Sequence, residues 1–73
     1  MLGTKIKEHR IRKELTQGQL GDLIGVGQST IAMYESGKIT PSWSCLVKLS
    51  TALSVPLHVF IPELESSLLP VPA

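Results

Sequence analysis

Residues 16–37 read TQGQLGDLIGVGQSTIAMYESG, and the fold is decided in this stretch. Thr16 is a helix N-cap, a hydroxyl placed to accept a backbone N–H of the following turn. Leu20, Leu23 and Ile24 then recur at the spacing of one helical face. Gly25 follows, the residue type that takes positive φ where a helix must stop and turn. Val26 plugs the corner, and a second amphipathic segment begins at Gln28, with Ile31 and Tyr34 turned inward. Gly21 has no side chain, so two helices can cross closely there. A small residue (Gly21), a glycine four later (Gly25) and a β-branched apolar residue six beyond that (Ile31) are the spacing of a helix-turn-helix. Such a unit presents its second helix to the DNA major groove.

Outward from this stretch the reading is all helical. Helix 1 is expected from Gly3 or Thr4 to Glu14, helix 2 from Gln17 to Ile24, and helix 3 from Gln28 to Ser36, closed by Gly37. Ser42 caps helix 4, Trp43 to Leu53, and Pro56 suits the first position of a short helix 5. The expected core is Ile6, Leu15, Leu20, Ile24, Val26, Ile31, Leu46, Leu49, Leu53, Val55 and Phe60. Trp43, the sole tryptophan, is expected to pack on that core at the start of helix 4.

Seventy-three residues make one domain, near the lower limit for a core without disulfides or metal. One cysteine excludes an intramolecular disulfide and fits a reducing compartment. Charges at Lys5, Lys7, Glu8, Arg10, Arg12 and Lys13 interrupt any signal-peptide pattern, and no apolar run reaches membrane-spanning length. The cytoplasm is the expected location, with no membrane partner. Net charge is only +1, but it is uneven. Residues 1–60 hold all seven Lys and Arg against Glu8, Glu14, Asp22 and Glu35, leaving +3, while Glu63 and Glu65 lie in the tail. Five of the seven cations fall between Lys5 and Lys13, mostly on a solvated helix face. A strongly basic nucleic-acid binder carries more charge than this. Binding therefore has to lean on dimerisation and on oriented amide and backbone donors.

The chain resembles the phage repressor and Cro family of helix-turn-helix domains well beyond the two central helices. IKEHRIRKELTQ looks like the family's first helix running into the LTQ that opens the second. YESGKITPS resembles its tyrosine–glutamate–glycine signature with the loop proline, LVKLSTALSV its fourth helix, and PLHVF its short fifth. The resemblance covers roughly residues 3 to 61 and implies a five-helix bundle over 1–61. Residues 62–73 form a C-terminal tail, either a dimerisation segment or a partly disordered end. Departures are Gly21 where alanine is usual, Gly27 in place of a Ser or Thr cap, and Ser54 in place of the glycine after helix 4. Gly18 and Gly21 each cost helix propensity, up to about 1 kcal/mol, so helix 2 should be the softest part of the motif.

The resemblance directs the outward positions of helix 3, Gln28, Ser29, Ala32 and Met33, to base edges. Gln28 donates and accepts in one plane, which matches N7 and N6 of adenine. Ser29 discriminates weakly, while Ala32 and Met33 offer apolar contact to a thymine methyl. Phosphate contacts are expected from Gln17 at the N-terminus of helix 2. Lys38, Thr40 and Ser42, in the loop after helix 3, lie where the family approaches the DNA backbone. Gln17 also reads as a plain helix-forming surface residue, and Ser42 as a cap first. In the family an arginine matching Arg10 bridges to the glutamate matching Glu35. That implies an ion pair tying helices 1 and 3, with a phosphate contact by Arg10 as a second role. Phe60, Ile61, Leu64 and Leu68 form the remaining apolar cluster and are expected to be the dimer patch.

His9, His58 and Cys45 lack ligand-like spacing, so no metal is expected, nor any cofactor or small-molecule ligand. His9 reads as partly buried and Cys45 as a core-edge residue. No Ser/His/Asp or paired-carboxylate constellation points to an enzyme. The expected function is a sequence-specific transcriptional regulator, a repressor binding double-stranded DNA as a homodimer on a twofold operator. The rival is a protein-interaction module of the same fold, antitoxin-like or a bridging factor.

Overall fold

The computed structural model describes residues 2–60. Four α-helices follow one another: α1 Leu2–Arg12, α2 Gln17–Ile24, α3 Gln28–Ser36 and α4 Trp43–Leu53. A single 3-10 turn, Leu57–Val59, stands where a fifth helix was expected.

The termini of these helices explain their lengths. Thr16 and Gln19 form a reciprocal capping box at the start of α2. The Thr16 hydroxyl accepts the Gln19 N–H at 3.0 Å, and the Gln19 side-chain oxygen accepts the Thr16 N–H at 2.8 Å. At α4 the Ser42 hydroxyl accepts the Cys45 N–H at 3.2 Å. Gly27 precedes α3 with no side-chain cap. At the other ends the chain turns left-handed: Gly25 has φ 80° and Gly37 φ 82°. The Val26 N–H reaches back to the Gly21 carbonyl, and the Lys38 N–H to that of Met33. Carbonyls that lose their helical partners are thereby satisfied.

The two outer helices close in the same way without glycine. Glu14 has φ 57°, with the Leu15 N–H bonded to the Arg10 carbonyl at 3.1 Å. Ser54 has φ 56°, with the Val55 N–H bonded to the Ser50 carbonyl at 3.0 Å. Left-handed backbone costs an L-residue roughly 1–2 kcal/mol, so both ends are strained and held by what packs around them. This is why α1 stops at Arg12, not Glu14, and why replacing the usual glycine by Ser54 leaves α4 ending at Leu53.

Ile6, Leu20, Ile24, Ile31, Leu46, Leu49, Leu53 and Phe60 are buried, joined by Tyr34 and Cys45. Leu15, Val26 and Val55 pack against this cluster half-buried. Two expected inward residues point out. Leu23 is 60% exposed because Leu20, Gly21 and Ile24 define the buried stripe of α2, and Leu23 lies about 100° around the helix from its centre. Trp43 is 58% exposed at the very start of α4, one turn before the buried Leu46 and at the margin of the stripe through Leu49 and Leu53. Phe60 is wholly buried in this chain's own core, its ring edge-on to His9 at 6.3 Å, so it is not an exposed dimer contact. The other residues of the expected patch, Ile61, Leu64 and Leu68, lie outside the described residues.

Two glycines permit the close packing that positions α3. A Cβ on Gly21 would stand 2.5 Å from the Val26 carbonyl oxygen, where the chain leaves the turn for α3. A Cβ on Gly3 would meet the carbonyl oxygens of Tyr34 and Glu35, each at 2.5 Å. The beginning of α1 thus lies directly on the last turn of α3.

Candidate nucleic-acid interface

Short helices need tertiary support, since nine residues such as those of α3 are marginal alone. Its inner face supplies that support. Ile31 is fully buried and Tyr34 nearly so. The Tyr34 hydroxyl oxygen receives the Cys45 thiol at 3.4 Å, linking α3 to α4. The side-chain hydrogen bond shared with Cys45, and then burial, push the Tyr34 phenol up to about 12.

Glu35 ends the inner face in a polar knot. Arg10 of α1 donates from Nε to Glu35 Oε2 at 2.6 Å and from Nη2 to Oε1 at 3.2 Å. Its Nη1 donates to the Leu15 carbonyl at 2.8 Å, tying down the strained loop after α1. Gln17 Nε2, at the start of α2, donates to the same Glu35 Oε1 at 3.1 Å. The side chains of Arg10 and Glu35 are only 11% and 5% exposed, so the two charges sit away from water and match each other. α1, α2 and α3 are pinned at one point, and the first turn of α2 is oriented by the last turn of α3.

Arg10 spends three of its five N–H groups inside the molecule, so its architectural part is already filled. Gln17 spends one amide hydrogen on Glu35 and keeps its second hydrogen and its carbonyl oxygen. The Gln17–Glu35 contact spans eighteen residues, and no spacing in the sequence announces it.

The outer face of α3 is different in kind. Gln28 and Ser29 are exposed, and Ala32 and Met33 are half-buried beside them. A Cβ on Gly18 would stand 3.6 Å from Gln28 Oε1, so the Gln28 side chain reaches toward the first turn of α2. Lys38 and Thr40 are exposed in the loop after α3. Ser42 is exposed too, but its hydroxyl caps α4 and lies 3.3 Å from that of Ser44. The surface therefore offers one planar amide and apolar groups on one helix, with helix N-termini, a lysine and hydroxyls around it. Amides and small apolar groups match base edges in the major groove; the flanking donors match phosphate. Among the described residues no His, Cys, Asp and Glu cluster could hold a metal ion. No helix there is long and apolar enough to cross a membrane.

The helix-turn-helix family model matches residues 6–60. The chain belongs to this family, of the Cro/C1 type, whose members are DNA-binding transcriptional regulators. It is 29% identical over 68 residues to the cryptic phage CTXphi transcriptional repressor RstR of Vibrio cholerae. That match takes in 93% of this chain and 61% of the repressor, so the chain spans about three fifths of its relative's length. It is 44% identical over 53 residues to multiprotein-bridging factor 1b of Arabidopsis thaliana, covering 73% of this chain and 37% of that protein. Among solved structures, the P22 c2 repressor bound to a synthetic operator superposes with a TM-score of 0.79 at 27% identity, covering 82% of this chain and 91% of the repressor. SinR, the master regulator for biofilm formation, in complex with DNA, gives 0.78 at 32% identity, covering 84% and 98%.

Proposed function

We propose that this chain is a sequence-specific transcriptional repressor that binds a twofold DNA operator as a homodimer, with α3 in the major groove. The observation that carries the reading is the contrast on α3: its inner face is anchored at Ile31, Tyr34 and Glu35, while Gln28 and Ser29 stand free at its start. In this reading Gln28 takes an adenine edge and Ser29, Ala32 and Met33 contact neighbouring base edges. Gln17, Lys38 and Thr40 fix the register on phosphates, and Ser42 contributes secondarily to its cap. Arg10 acts first as the clamp on Glu35. Similarity to a phage repressor and to two regulators solved on DNA supports this assignment. One such domain touches few base pairs, so two half-sites about 34 Å apart are needed for useful specificity.

The similarity to a multiprotein-bridging factor favours a second reading, a module that joins proteins. Selection of bound duplexes from a random pool separates the two. The regulator yields a palindrome for which the logarithm of the binding constant falls linearly with the logarithm of salt concentration. The bridging module yields no enriched sequence and retains a stoichiometric protein partner without DNA.

A further inference from the structure

Away from α3, the outer sides of α2 and α4 meet in a shallow groove of about 340 Å³ lined by Leu23, Val47, Lys48, Thr51 and Ala52. Leu23 and Val47 are 60% and 41% exposed, and Trp43 stands one turn before Val47 on the same side of α4. Three of the five large apolar residues exposed between 2 and 60 therefore collect here, beside one lysine.

We propose that this groove is the seat of the chain's own C-terminal segment, residues 62–69, PELESSLL. Leu64, Leu68 and Leu69 cover Leu23 and Val47, and Glu63 or Glu65 stands beside Lys48. The segment has the complementary chemistry: three leucines, two carboxylates and no cation. It also begins in the right place, since Phe60 is locked into the core formed with Leu49 and Leu53 of α4. Residues 61–69 reach roughly 30 Å when extended, against roughly 16 Å for the whole of α4, so every point of that helix is within range. A second folded copy is the poorer occupant. A stable association between folded proteins buries about 800 Å² on each side, far more than five residues offer. A tethered segment needs no such area, because its effective concentration is already in the millimolar range. The covered groove would remove from water an apolar patch that serves neither the core nor the α3 surface.

The test uses the full 73-residue chain, isotope-labelled, with Cys45→Ser and a nitroxide on Ser67→Cys. The amide signals of Leu23, Val47 and Thr51 should be lost at every protein concentration. They should return when Leu68→Ser and Leu69→Ser are added, and return in part with Lys48→Glu. Mixing unlabelled-spin, isotope-labelled chain with spin-labelled, unenriched chain should leave the signals intact. Signals that survive in the labelled chain overturn the proposal, as does loss in the mixed sample, which would give the groove to a second copy. Should Cys45→Ser fail to fold, Trp43 offers a readout without it. Leu68→Asp with Leu69→Asp should move its emission to longer wavelength, and unchanged emission contradicts the proposal. None of these measurements involves DNA, so the result stands apart from the operator reading.

Discussion

The two faces of α3 obey different rules. Inward, Ile31, Tyr34 and Glu35 are buried, and every polar atom named there has a partner. Outward, Gln28 and Ser29 are exposed at the first turn. A nine-residue helix cannot hold an amide in a fixed orientation by its own hydrogen bonds. The inner face does that work, through the core and through the Arg10–Glu35–Gln17 knot. The lesson is a division of labour within one short helix: substitutions inside should cost stability, and substitutions outside should cost recognition alone.

The largest effect is expected at Ile31. Ile31→Ala removes a fully buried side chain and should lower unfolding free energy by about 2–5 kcal/mol in urea titration. A change below 0.5 kcal/mol would mean that the inner face does not anchor the helix. Next comes the knot. Glu35→Gln leaves the Arg10 guanidinium facing a neutral amide and should cost about 2–3 kcal/mol. A double-mutant cycle with Arg10→Met should show coupling above about 1 kcal/mol; additivity would dissolve the knot into independent contacts.

Tyr34 brings pH into the contrast between the two faces. Its folded value is raised to about 12 from the ordinary 10.0, so the folded state holds the phenolic proton where the unfolded chain has released it. The associated stability is fully present below pH 10 and is lost as pH rises through about 12. Tyr34→Phe should therefore flatten the alkaline decline in denaturant midpoints measured against pH. Parallel declines in the two proteins would show that the phenol titrates normally.

Much of this architecture was legible because punctuation residues sit where the backbone needs them. Thr16, Gly25, Gly37 and Ser42 delimit α2, α3 and α4 residue for residue as expected. α1 ended early because its left-handed residue is Glu14, which carries no such mark. The expected fifth helix shrank to Leu57–Val59: Pro56 signals a start, but the described chain holds only three helical residues there. Leu23 and Trp43 misled because an apolar residue near a buried stripe was counted as part of it. The capping box is written in Thr16 and Gln19, three residues apart. The Arg10–Glu35 contact spans twenty-five residues and came from resemblance, not from spacing. Gly3 looked like a helix start, and only the packed structure reveals the Tyr34 and Glu35 carbonyls against it.

If the outer face of α3 reads DNA while its inner face supports it, recognition depends on Gln28. The most direct measurement compares Gln28→Ala with the parent chain on the selected operator and on random duplex at one fixed salt concentration, with thermal unfolding recorded in parallel. Gln28→Ala should lose about 1–3 kcal/mol on the operator and almost none on random DNA, with unfolding unchanged within about 0.5 kcal/mol. Equal losses on both duplexes, or a loss tracking destabilisation, would contradict that role for Gln28.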